Sequence, residues 1–113
     1  MSSWPADLTP VGAPGWQAKA SAWLLDRCPS EFRTYEIFKT QPAALGYVAL
    51  HQLEHQVEAI RDAYRNARTN ANLPPEVLSD LLSTLEHEGA RLALELKSAN
   101  SVIGALIANK SEN

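Results

Sequence analysis

Cysteine is almost missing: Cys28 is the one thiol in 113 residues. It has no partner in the chain for a disulfide. That excludes a small secreted scaffold stapled by disulfides and makes a reducing compartment the simpler expectation. A buried or loop thiol is the expected role of Cys28, which stands beside Pro29 with no reactive-thiol motif around it. Long apolar runs are missing as well. No stretch reaches the ~18 apolar residues of a membrane span. Residues 1–15 hold three prolines and an Asp without an apolar core, so no secretory pattern is visible there. A cytoplasmic protein without a membrane partner is expected.

Basic clusters are also scarce. Residues 1–41 carry four charges of each sign and 42–72 carry three of each, while 73–113 carry three basic and six acidic residues. The whole imbalance of −3 therefore sits in the last third. Duplex nucleic acid is usually met by a basic patch that displaces counterions, and Arg61, Arg65 and Arg68 are the only weak candidates for one. The five glycines form no phosphate-cradling loop. No Ser or Cys stands near a His with a third orienting group, and no shielded carboxylate pair can be identified. The expectation is a protein that is not an enzyme and carries no cofactor.

What is abundant is helix-forming. Seventeen Ala and 15 Leu stand against eight aromatics, and 45 % of residues are hydrophobic. That is enough apolar surface for one ordered domain. Residues 1–15, broken by Pro5, Pro10 and Pro14, read as a flexible arm that Trp4 and Leu8 could pin to the body. Residues 16–113 read as a single helical domain. A short helix is expected over 16–27, ended by Pro29. A second short element, capped by Ser30, runs to about Lys39 with Phe32, Tyr35 and Phe38 three apart. Pro42 opens a long helix over 42–71, and Pro75 opens another over 75–109. Leu73 and Leu78 would staple the start of the latter.

Two heptad stripes dominate. The first is Ala43, Gly46, Leu50, Leu53, Val57, Ile60, Tyr64, Ala67 and Ala71. The second is Leu78, Leu82, Leu85, Gly89, Leu92, Leu96, Ala99, Ile103 and Leu106. The steps alternate three and four throughout, as in a coiled-coil seam. Folding the chain back between them pairs every member with one whose number completes 149: Ile60 with Gly89, Leu50 with Ala99, Gly46 with Ile103. Six of the nine pairs set Gly or Ala against a larger residue, which is what close packing needs. Gly89 would then make room for Ile60. The predicted fold is all-α, a long antiparallel hairpin capped by one or two short N-terminal helices. The apolar run 44–49, with Val102, Ile103, Leu106 and Ile107 opposite, should be covered by Trp16, Trp23, Phe32, Tyr35 and Phe38.

The back of the second long helix is small rather than charged, with Ala90, Leu94, Ser98, Ser101, Ala105 and Ala108. A solvated face of this length usually carries Lys and Glu. It is the candidate interface for a second copy, which would complete a four-helix core, or for another protein. His51 and His55 are four apart and are the weak candidates for a metal, with solvated surface as the expected alternative. The expected function is a non-enzymatic helical interaction module, a dimeric scaffold or adaptor. A small-ligand or metal-binding bundle is the alternative, followed by an oligomeric nucleic-acid-binding regulator.

Overall fold

The structure, a computed structural model, describes residues 3–70 and 72–111, the last three of them by backbone alone. In chain order stand α1 (Trp16–Leu25), a 3-10 helix (Ser30–Thr34), α2 (Glu36–Thr40), α3 (Pro42–Asn70) and α4 (Pro75–Ser111). Among the described residues there is no strand. The all-α class and the long antiparallel hairpin expected from the heptads are both present.

Local chemistry sets the boundaries. Gly15 precedes α1 at φ 75°, a left-handed conformation that glycine adopts without a Cβ clash. α1 stops at Leu25, two residues before the expected end. The amides of Arg27 and Cys28 reach back to Leu24 and Leu25 at 3.0 Å, three residues rather than four. The chain tightens there because Pro29 disfavours helical backbone at Cys28. The expected single element over 30–39 splits at Tyr35, which is extended at φ −92° and ψ 123°. In one straight helix Phe32 and Phe38 would point about 120° apart. The break instead stacks their rings with centroids 5.1 Å apart. Pro42 and Pro75 open α3 and α4 as expected, since a first-turn residue has no intrahelical use for its N–H. α4 runs a little past its expected end.

The hairpin has the register of the heptads. A Cβ built on Gly46 would lie 2.9 Å from Ile103 Cγ2, and one on Gly89 would lie 3.7 Å from Ile60 Cγ2. Both pairs complete 149. Every described member of the two stripes is buried or half-buried except Ala43. Ala43 lies in the first turn of α3, at the very start of the seam. Ala71 lies outside the described residues.

α1 lies against both long helices near the open end of the hairpin, opposite the turn. Trp16, Ala20, Trp23, Leu24 and Cys28 join one core with Leu45, Ala49, Leu53 and Val57 of α3 and Leu92, Ala99, Val102 and Leu106 of α4. This layer explains the burial of Leu45, Ala49 and Val102, none of which belongs to the seam. Phe32 and Phe38 pack on it, and so do Trp4 and Leu8 from the N-terminal arm. Trp4 sets its edge on Trp16 at 6.0 Å between centroids and donates its indole N–H to the Thr9 carbonyl. The expected cover is incomplete, however. Tyr35 is 52 % exposed, Tyr47 67 % and Ile107 46 %. These side chains look away from the groove that α1 fills.

The molecule is long and thin, 57 × 32 × 17 Å, with a radius of gyration of 17.1 Å. A compact chain of this length would have about 13 Å. The shape follows from a third layer that covers only half of the hairpin.

Candidate functional site

The small-residue face expected on α4 is divided. Ala90, Leu94 and Ala108 are exposed, while Ser98, Ser101 and Ala105 are half-buried. Ala105 packs on the core. Pro5 and Asp7 of the arm and Trp23 of α1 share one hollow with Leu94 and Ser98. The chain's own arm and α1 thus border much of this face. Leu94, 66 % exposed, is its one large apolar side chain in water.

A second unpartnered surface was not legible as such in the sequence. Beyond the end of α1 the hairpin has only two layers of side chains. Among the described residues, Ala67 is the only buried one between Arg61 and Arg91. Leu78, Leu81, Leu82 and Leu85 are half-buried, and Leu73 and Val77 are 38 % and 44 % exposed. The expected staple between Leu73 and Leu78 is therefore poorly covered. On the side that α1 occupies farther along, Ala63, Asn66, Ala67, Asn70 and Leu81 line an open groove. It continues the groove in which α1 lies, but no element of the described chain fills it.

At the junction of the two halves is a polar cluster. Arg27 stacks its guanidinium 3.6 Å above the Trp23 ring, donates to the Trp23 carbonyl at 2.9 Å and reaches Glu95 at 3.5 Å. Glu95 also meets Arg91, which is bound through two nitrogens by Glu88. The hydrogen bond from Arg91 holds the Glu88 carboxyl below its ordinary range and raises the guanidinium in turn. The Trp23 indole N–H and Arg27 Nε are buried without a partner. The cluster ties α1 to α4 across 68 residues of sequence, and no spacing rule could have found it. Beside it, burial pushes the Cys28 thiol up, partly offset by the charge of Arg33. The thiol donates to the Leu24 carbonyl.

His51 and His55 are both exposed, and His51 Nδ1 faces Glu54 at 3.8 Å while its ring meets that of Tyr47 in a T-shaped contact. Among the described residues no group of three or more His, Cys, Asp and Glu is placed to hold a metal ion. Arg61 and Arg65 are paired with Glu58 and Asp62, which cancels the positive charge of that strip. At the open end, Ser21, Leu25, Phe38, Lys39, Pro42 and Leu106 border a hollow of about 460 Å³. Among the described residues no helix is long and apolar enough to cross a membrane.

Comparison of the chain with protein families, curated proteins and solved structures finds no match.

Proposed function

We propose that the chain is a non-enzymatic helical interaction module, a scaffold or adaptor that presents helix faces to another protein. One observation supports this above others: the layer formed by α1 stops halfway along the hairpin. The groove beyond it keeps apolar residues at the surface. Exposed Leu and Val cost solvation free energy that covering them would recover, at roughly 25 cal/mol per Å². A monomer with no docking role would more usually bear charge there. A cytoplasmic setting fits a chain whose single thiol is kept in its core.

The test is affinity capture from the native host with the wild-type chain and with Val77→Asp and Leu94→Asp. These substitutions probe the turn-end groove and the small-residue face separately. A bound species, whether another protein or a second copy, that one substitution removes supports the module and locates its face. Identical retention by all three proteins overturns it. The hollow bordered by Lys39 favours a second reading, a site for a small apolar molecule bearing a negative group. Medium-chain fatty acids titrated against tryptophan fluorescence test it. Equal response of wild type and Lys39→Glu rejects that reading.

A further inference from the structure

We propose that the open groove at the turn end seats one helix of another protein, an amphipathic segment with an apolar stripe and a basic flank. The inference rests on the interaction-module reading and gives its partner a chemistry.

α1 shows what the groove takes. Farther along, a single helix fills the space between α3 and α4 by turning Trp16, Ala20, Trp23 and Leu24 into it. Ala20 is fully buried, so α1 sinks towards the floor on its smallest side chain. Arg27 closes this seat where it reaches Glu95. Beyond that point the same two helices run on, and the groove runs on with them, lined by Ala63, Ala67 and Leu81. Two helices 8–10 Å apart leave a furrow that one further helix fills.

The uncovered stretch has the size of a short helix. Val77, 44 % exposed and four residues before Leu81, stands on the same face of α4. From Val77 to Glu88 this wall is about 17 Å long at 1.5 Å per residue, which is about three turns. The α3 wall is low. Ala63 is exposed and Ala67 buried, and alanines four apart let an incoming backbone approach closely. A contact of this size lies at the low end of specific interfaces, below about 1,200 Å² in total, and suits a transient partner.

Charge sets the flank. Asp80, three residues from Val77 and four from Thr84, borders the α4 wall. Asp80 and Glu76 are exposed, and neither carboxylate has an ion pair among the described residues. α4 has no Lys or Arg before Arg91, which Glu88 and Glu95 already hold. On α3 the groove is edged by the neutral Asn66 and Asn70. Arg65 and Arg68 stand about 100° or more round α3 from the face that Ala63 and Ala67 share. The α4 lip is therefore acidic, and Lys or Arg along one edge of the incoming helix complements it. A second copy would bring the same acidic lip instead.

Selection from a displayed library of helical peptides against the full chain tests this. Each peptide has about 13 residues, a fixed Leu and Ala stripe at helical spacing, and randomised flanks. The selected peptides should be enriched in Lys and Arg on one flank. Their binding, read by fluorescence anisotropy, should weaken at least about tenfold with Ala63→Arg, which fills the groove from an exposed position. Asp80→Lys should weaken it too, and should favour peptides with Glu in place of Lys. Both variants should keep the helical circular dichroism of the wild type. Recovery of no peptide, recovery of acidic flanks, or binding that both variants leave unchanged overturns the inference. So does a wild-type dimer in sedimentation velocity that Ala63→Arg dissolves, since a second copy then closes the groove. If the peptides fail while the capture experiment retains a protein lost with Leu94→Asp, the module reading stands on the other face and this inference alone falls.

Discussion

Gly46 and Gly89 hold equivalent places in the seam, yet their surroundings differ. At Gly46 a Cβ would approach Ile103 Cγ2 to 2.9 Å, and a β-branched methyl has little freedom to yield. At Gly89 the nearest atom would lie at 3.7 Å, an ordinary contact. The expectation that Gly89 is required to admit Ile60 is thus corrected: the pair meets, but with room left over. Gly46→Ala should destabilise by about 1–3 kcal/mol through overpacking. Gly89→Ala should stabilise by up to about 1 kcal/mol through helix propensity. Urea unfolding of the two variants checks the opposite signs. Cys28 gives a second prediction at this scale. Its thiol should react slowly with a disulfide reagent until the core opens. Because the folded protein holds the proton more tightly, the associated stability is complete below the ordinary thiol value of 9.0 and is lost as pH rises beyond it. Unfolding curves should weaken on the alkaline side in the wild type and show a smaller slope in Cys28→Ala.

Along the long helices the same heptad has unequal weight. Leu53 and Leu92 are sealed under α1, whereas Leu82 and Leu85 are half-open near the turn. Leu53→Ala should cost about 2–5 kcal/mol, and Leu82→Ala clearly less, since water already reaches the site. Hydrogen exchange in the monomer should run first at the turn end of α3 and α4 and last around Leu53 and Val102. The short elements contribute differently. α1 is held by its buried tryptophans and by Arg27, which stacks on Trp23 four residues back and reaches Glu95 in α4. The pair with Glu95 is partly solvent-exposed, so its removal alone should matter little beside loss of Trp23.

At the scale of the molecule, the half-covered hairpin explains both the elongated outline and the groove. Small-angle scattering at low concentration should return a long particle close to 57 Å in greatest extent. A compact profile would contradict the hairpin length.

Helix class, the two long helices and their register could be read from the sequence because each follows from local periodicity and from one pairing constant within the chain. Gly46 and Ile103 face each other for the reason their positions in the stripes imply. The division of 30–40 into two pieces could not be read that way, since it depends on where Phe32 and Phe38 find the core. Nor could the reach of α1, which leaves Ser98 and Ala105 half-covered and the groove beside Ala63 open. Sequence pattern marks which face of a helix is apolar. Which neighbour covers that face, and how far along, depends on packing between segments remote in the chain, and this the tertiary structure alone decided.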